Sequence, residues 1–562
     1  MSRNRMVQKL DVKLWLIAIC IVGFLLRVLY ISHDSLWFDE VASFVSVRQS
    51  TLAGVIETIY RTERTPPFYL VLLHLWIRQF GFSEFSMRLP SALFGFLTIP
   101  VMYVLVRDLF DGKVAILSSL FLAVSPFHIW YSQEARSFTM AVFLNLLSIV
   151  FFLKILRLGH RSSWVNRLSY VLLTCLALYT NYLALFTIVA ENIIVSYAWL
   201  RTKTILHRWI ALQLFVTLLS VIPLSFFLTR QVFTGYEMGY SGLVESEGGM
   251  VAQSATAESP GALDNQTEGT SSKIAYVFSL IRERFKLDLE NSLKFSLIHV
   301  PYSFGSGLKY VNRLPYSWSR PFVYFFIVPS VLLFVSLFFY GVWTTRRDFL
   351  LPLATLFLVP IIGAFLIVLL DLRPIYTRHT IQSLPLFYVF AARGLCSLQH
   401  PKARFVLLPV LIVSVVVSLA INYFDKKVDK DDWRYITSYV LRDLKPGDFI
   451  IFHGEFSDSS FYYYVLLNPD NKIKWKAENP DAITVRTRDG SLNYFLDNVE
   501  SVYDSLLAEE ERVWVITYYA KEEESYCLRS RLETDLVLRH RNSNLGRNLL
   551  LELYENPRTY RE

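Results

Sequence analysis

Charged residues make up only 19% of this 562-residue chain, and several of them fall in short clusters whose chemistry can be read. Asp39 and Glu40 follow Trp37 and Phe38 where a long apolar run ends. A carboxylate at such a boundary is partly desolvated, which raises its pKa and suits it to accept a proton. On pattern alone an aromatic belt with solvated charge explains these four residues equally well. Arg61 and Arg64 precede the pair Pro66-Pro67, and Arg88 precedes Leu89-Pro90. The stretch Tyr131-Ser132-Gln133-Glu134-Ala135-Arg136 is strongly polar between two apolar runs, and Asp371-Leu372-Arg373-Pro374-Ile375-Tyr376-Thr377-Arg378-His379 precedes another. Singly, these cations read as headgroup contacts or snorkelling side chains. Together they suit one chemistry. Arginine forks hold phosphate bidentately and stabilise the charge that develops on a phosphate leaving group. A carboxylate beside them can deprotonate an acceptor hydroxyl, so the set matches cleavage of a bond between a sugar and a lipid phosphate.

The elements that must position these residues are membrane helices. The chain is 53% hydrophobic and 15% aromatic, with a mean hydropathy of +0.36. Soluble domains carry about 25% charged residues, so a string of soluble domains is excluded, and so is a disordered chain. A spanning helix needs about 20 mostly apolar residues. Runs of that kind fall at 14–31, 89–107, 113–130, 137–156, 168–180, 183–200, 208–228, 322–343, 349–370, 379–395 and 403–421. The run 66–80 is short and carries His74 and Arg78. If it does not span and the N-terminus is cytoplasmic, the cytoplasmic loops receive Arg107, Lys113, Lys154, Arg157, Arg161, Arg167, Arg201, Lys203, Arg208, Arg346, Arg347, Arg393, Lys402 and Arg404. The short external loops beyond the first then hold only Arg136, Arg373 and Arg378. If 66–80 spans, that bias reverses, so the positive-inside rule places 66–80 on the outer membrane surface. The net charge of +8 therefore reads as topology and not as attraction to nucleic acid.

On this topology, 32–88, 229–320 and 422–562 face outward, and all the clusters named above share one membrane level. The outer part of the chain shows a turn at Lys445-Pro446-Gly447-Asp448, strand patterns at Phe449–Phe452 and Val513–Thr517, and a helical pattern at 493–508. We expect two domains: a membrane domain over 1–421 and an extracytoplasmic α/β domain over 422–562. Three of the four cysteines sit in apolar runs and no CxxC occurs, so neither a disulfide framework nor a structural zinc site is expected.

In order and spacing, Trp37-Phe38-Asp39-Glu40, Arg64-Thr65-Pro66-Pro67, Met87-Arg88-Leu89-Pro90-Ser91-Ala92-Leu93, Ser125-Pro126 to Arg136, and Tyr376-Thr377-Arg378 leading to Leu384-Pro385 resemble the C-type-fold membrane glycosyltransferases. The resemblance is to the protein O-mannosyltransferase and aminoarabinose-transferase-like branch, and it extends to Asp431-Asp432-Trp433-Arg434. It implies a polyprenyl-phosphate sugar donor, a bacterial cell membrane and an active site on the outer face, with juxtamembrane helices in the first loop. It also implies that Asp39 is the catalytic base. Glu40 would tune Asp39, and Arg64, Arg88, Arg136 and Arg378 would hold the donor phosphate. Trp37, Tyr131, Gln133, Glu134, Tyr376 and His379 would line the substrate site. The sequence departs from its relatives at Thr65, where they carry His or Lys. Distant oligosaccharyltransferases keep metal-binding acids where this chain has only Glu134, so no firm metal site follows and a divalent metal stays open. The expected reaction is inverting sugar transfer to a glycan, lipid or protein acceptor. The rival readings are an oligosaccharide transferase or polymer ligase of the same fold, and a lipid-linked glycan transporter. Transporters usually show internal repeats and broken midplane helices, and neither is evident.

Overall fold

A computed structural model describes residues 3–63, 65–202, 206–233, 300–306, 319–369, 377–424, 431–445, 448–453, 460–461, 463–465, 485–486, 512–518, 529–530, 532–534, 536–543, 549–555 and 557. The pattern 493–508 and most of the insert 229–320 lie outside the described residues.

Helix occupies each of the long apolar runs. The first is α1 (Arg3–Val28). Three short helices follow: α2 (Phe38–Val47), α3 (Leu52–Thr62) and α4 (Phe68–Phe80). Thr51 caps α3 by accepting the Gly54 N–H at 3.1 Å. With 13 residues, α4 reaches about 20 Å, short of a bilayer core. It buries Tyr69, Leu70, Leu73, His74 and Ile77, and His74 Nδ1 lies 2.8 Å from the Val47 carbonyl at the end of α2.

The bundle continues with α5 (Glu84–Leu109), α6 (Gly112–Ala123), α7 (Pro126–Ser132), α8 (Phe138–Leu158), α9 (Trp164–Thr180) and α10 (Ala184–Thr202). Next come α11 (Leu206–Val216) and α12 (Ile222–Phe233), joined by a π-helical turn. Then follow α13 (Val300–Ser306), α14 (Ser319–Thr344), α15 (Arg347–Leu369), a 3-10 turn (Thr377–Ser383), α16 (Leu384–Ser397) and α17 (Pro401–Phe424). Among the described residues, six helices are long and apolar enough to cross a membrane. The bent pair α6–α7, broken by 56°, makes a seventh if it counts as one span.

That bend has a cause. Fully buried Arg27 of α1 donates to the Ala123 carbonyl at 2.9 Å, the Leu122 carbonyl at 3.1 Å and Gly23 at 2.7 Å, and its Nη2 lies 3.0 Å from His128 Nδ1. It satisfies the carbonyls that end α6. Ser125 and Pro126 then restart the chain as α7, with the Ser125 hydroxyl accepting the His128 N–H at 3.3 Å and proline in the first turn.

Helices α14 and α16 meet backbone to backbone. A Cβ at Gly341 would run into the Phe390 carbonyl, and one at Gly394 into the Leu337 carbonyl. Small residues at such a crossing permit the close approach that packs membrane helices.

Beyond α17 lie helix α18 (Trp433–Asp443) and a five-stranded mixed sheet. Its strands are β1 (Asp448–His453), β2 (Val485–Arg486), β3 (Arg512–Tyr518), β4 (Val537–Asn542) and β5 (Leu549–Glu555), in the order β2-β1-β3-β5-β4. The β1–β2 and β1–β3 pairs are parallel; the β3–β5 and β4–β5 pairs are antiparallel. Ahead of β1, the Asp448 N–H donates to Lys445 O at 3.0 Å. The Asp448 carboxylate also accepts from Trp514 Nε1 and Arg512, each at 3.0 Å. Asp432 caps α18, accepting the Tyr435 N–H at 3.1 Å, and α18 lies against the sheet through Tyr439, whose ring is 6.2 Å from Trp514 and 5.4 Å from His540.

A prediction follows from the glycine crossing. Gly394→Ala should destabilise the bundle by about 1–3 kcal/mol, read as a lower melting temperature in detergent. An exposed helix substitution, Leu332→Ala, should leave melting nearly unchanged.

Candidate active site at one mouth of the bundle

The candidate residues converge where α1, α7 and the 3-10 turn meet α2 and the first turns of α5 and α8. Helix α2 begins at Phe38, so Asp39 and Glu40 fall in its first turn and point to different partners. Glu40 is fully buried, and so is Arg88 from the first turns of α5. Arg88 Nε donates to Glu40 Oε1 at 2.7 Å and Nη2 to Oε2 at 2.8 Å. The same carboxylate accepts the Ala135 N–H at 2.9 Å and the Trp37 N–H at 3.4 Å, the latter closing a capping contact on α2. Arg88 also donates to the carbonyls of Ile31 and Asp34 at 2.8 Å and of Ser35 at 2.9 Å. These bonds occupy all five N–H groups of the guanidinium.

Two expectations change as a result. Arg88 has no N–H to offer a donor phosphate, and the Glu40 carboxylate is closed off from Asp39's open side. The pair instead ties the first loop to α5 and to the segment before α8. A sequence pattern does not distinguish an arginine that reaches outward from one folded inward.

Asp39 faces the mouth. Arg378 of the 3-10 turn donates to Asp39 Oδ2 at 2.6 Å, and both side chains keep partial exposure, 16% and 14%. The Arg378 guanidinium carbon lies 5.7 Å from the Trp37 ring centroid and 5.8 Å from that of Phe138, which confines the cation between aromatic faces. The His379 ring meets Phe138 edge-on at 6.2 Å. Arg136 completes the ring of charge, with Nη1 3.1 Å from the Asp39 carbonyl and from Ser43 Oγ and 2.9 Å from Glu63 Oε1. Its Nη2 is 3.3 Å from Glu63 Oε2. Burial works against the charge of Arg136, but Glu63 and Asp39 more than offset it, so the group is held above its usual pKa and stays a cation.

Several other expected residues have different neighbours. Gln133 donates to the carbonyls of Leu26, Arg27 and Leu29 at 3.3, 3.3 and 2.7 Å, so it satisfies the C-terminal end of α1. Tyr131 is buried, its ring 5.0 Å from Phe127 and 5.3 Å from Phe138, as a wall behind Arg378. Glu134 is also buried and accepts from Trp130 Nε1 at 2.7 Å. Arg64 and Tyr376 lie outside the described residues. Among the described residues, no group of three or more His, Cys, Asp or Glu side chains is placed to hold a metal.

Glu63 was not anticipated. Its signal was visible in Arg61-Thr62-Glu63-Arg64, where an acid between two arginines invites a cationic partner; that partner, Arg136, is far along the chain.

The geometry separates two kinds of charge pair, and stability should follow. Arg88→Ala leaves Glu40 buried and unpaired, which should cost about 3–5 kcal/mol and lower the melting temperature sharply. Arg378→Ala, at a pair that keeps 14–16% exposure, should lower it less. Equal losses would remove the distinction.

Residues 64–227 match the family model described as dolichyl-phosphate-mannose-protein mannosyltransferase. No curated protein matches the chain. Among solved structures, ArnT from Cupriavidus metallidurans in the apo state is similar at a TM-score of 0.52 and 11% identity, covering 96% of this chain and 97% of that one. The same protein bound to undecaprenyl phosphate gives 0.51 at 12% identity, covering 96% and 98%. The Archaeoglobus fulgidus oligosaccharyltransferase tethered with an acceptor peptide gives 0.49 at 11% identity, covering 90% and 69%. The likeness to ArnT is one of fold, and it extends over nearly the whole of both chains. In fold the chain is similar to ArnT over nearly the whole of both chains, and its residues 64–227 match the mannosyltransferase family model.

Proposed function

We propose that the protein moves a sugar from a polyprenyl-phosphate carrier to an acceptor hydroxyl, with inversion, at the outer face of a bacterial cell membrane. The observation that carries this reading is the Asp39 carboxylate sitting at the mouth beside Arg378, with Arg136 against its own backbone carbonyl. The likeness in fold to ArnT, which has been solved bound to undecaprenyl phosphate, supports the donor class.

In this reading Asp39 is the base, and Arg378 and Arg136 receive the donor phosphate. Arg378 gives Asp39 one N–H at rest, and in this reading an arriving phosphate takes over that guanidinium. A phosphate arriving at the mouth draws Arg378 away, which does two things at once. It pairs the phosphate with a cation confined by Trp37 and Phe138, and it releases an Asp39 oxygen to accept a proton. The acceptor oxygen then attacks the anomeric carbon from the face opposite the phosphate. Its proton passes to Asp39. The bond from the anomeric carbon to the phosphate oxygen breaks, and the electron pair leaves with the polyprenyl phosphate, whose growing charge the arginines stabilise. Glu40 and Arg88 hold the frame.

The topology belongs to the same reading: eleven spans, a cytoplasmic N-terminus, α4 on the outer surface, and 422–562 as an extracytoplasmic domain. A periplasmic reporter fused after Arg161 should be inactive and one after Asn422 active; the opposite pattern would put the mouth on the wrong side.

Asp39→Asn should reduce transfer by about 10²–10⁴-fold while its melting temperature stays near that of the unaltered protein. An active, folded variant would remove Asp39 as the base. Arg378→Ala should weaken binding of undecaprenyl phosphate, measured by titration in detergent, and unchanged affinity would remove Arg378 from the phosphate site.

A further inference from the structure

The short segment that leads into α2 is gripped from the far end of the sequence. Leu36 precedes the residue that caps α2, and its N–H donates to the Tyr464 hydroxyl at 2.8 Å. That hydroxyl donates in turn to Glu84 Oε1 at 3.1 Å. Burial holds the Tyr464 phenol well above its usual pKa, so it stays protonated and keeps both roles. Glu84, in the first turn of α5, also accepts from Arg434 Nη2 at 2.7 Å, and Arg434 reaches the Ser32 carbonyl at 3.1 Å. Ser35 donates to Asp432 Oδ1 at 3.3 Å and accepts the Arg434 N–H at 3.1 Å. On the flank of α2, the Phe44 ring meets Tyr463 edge-on, 4.6 Å between centroids.

Taken one by one, these are ordinary interface contacts. Their distribution is not ordinary, because they fall on the entry and one face of a ten-residue helix that carries Asp39 in its first turn. An isolated helix of that length is marginal, so its direction is set by what holds its start. Arg88 and Glu40 hold that start from the bundle side. Tyr464, Arg434 and Asp432 hold it from the other.

We propose that Tyr464 is a positioning residue for Asp39, so that the region beyond residue 430 completes the active site by fixing the first turn of α2. This rests on Asp39 being the base. The consequence is mechanical: a group that reacts by hydrogen-bond reach loses rate steeply when displaced by a fraction of an ångström. Removal of the phenol hydroxyl leaves the Leu36 N–H without its partner and cuts its link to Glu84, whose Oε1 keeps Arg434, and so loosens α2, while the phosphate-binding arginines keep their own supports on the 3-10 turn and before α8.

The test uses Tyr464→Phe in the full-length protein in lipid nanodiscs, with Ser35→Ala as a second variant that cuts the Asp432 link from the other side. Hydrogen–deuterium exchange reads the grip directly. Amide exchange in 36–44 should rise by about tenfold, with α8 and strands β3 and β5 unchanged. Consumption of undecaprenyl-phosphate mannose, taken as the probe donor, reads the consequence: kcat should fall by about tenfold at an unchanged KM. Unchanged exchange in 36–44, or a rise spread through the whole protein, overturns the proposal. So does a raised KM at constant kcat, which would make Tyr464 a donor contact. If the unaltered protein consumes no such donor, the failure belongs to the proposed activity with that sugar, and the exchange measurement alone decides the grip.

Discussion

The buried pair of Glu40 and Arg88 is the constraint on which the rest of the site depends. Two full charges removed from water are tolerated only when every hydrogen-bonding position is filled. Here the guanidinium fills its five positions with one carboxylate and three backbone carbonyls, and the carboxylate takes two further backbone N–H groups. The pair therefore fixes backbone at several points: the turn after α1, the start of α2, the first turns of α5 and the segment before α8. Whatever chemistry the mouth performs is performed on that frame.

Against the frame stands a second, looser layer of charge. Asp39 with Arg378, and Glu63 with Arg136, alternate in sign around the mouth. Glu63 is buried, whereas Asp39 and Arg378 keep 14% and 16% exposure, which makes that pair the more readily exchanged for a ligand's charge. Adjacent residues in one helical turn thus take different partners: Glu40 is buried against Arg88, while Asp39 keeps partial exposure beside Arg378. The two acids look equivalent in the sequence, and only the direction of the helix start separates them.

Much of this was legible from residue order alone. Apolar runs gave helices at each expected position, because a run of about 20 apolar residues has few other stable options. The clusters at 37–40, 131–136 and 378–379 came together because charge is scarce in such a chain and gathers where water or ligand can reach it. What was not legible depended on partners distant in sequence. Arg88 reads as a snorkelling cation until Ile31, Asp34 and Ser35 are seen to face it. Gln133 gives no sign in the sequence that the open carbonyls at the end of α1 are its partners. Strand β5, Leu-Leu-Leu-Glu-Leu-Tyr-Glu, carries a fully buried Glu552 whose place is explained only by Arg529 and Arg541, at 3.2 and 2.6 Å. Glu63 stands out in sequence as an acid between two arginines, but its partner, Arg136, is far along the chain.

The central claim is that the donor phosphate takes Arg378 from Asp39 while the Glu40–Arg88 pair stays shut. A structure of the protein with undecaprenyl phosphate bound tests it most directly. The account predicts the phosphate within hydrogen-bonding distance of Arg378, about 3 Å, with Arg378 drawn off Asp39 and Arg88 still on Glu40. A phosphate held by Arg88, or one bound at the mouth with Arg378 still on Asp39, would contradict it.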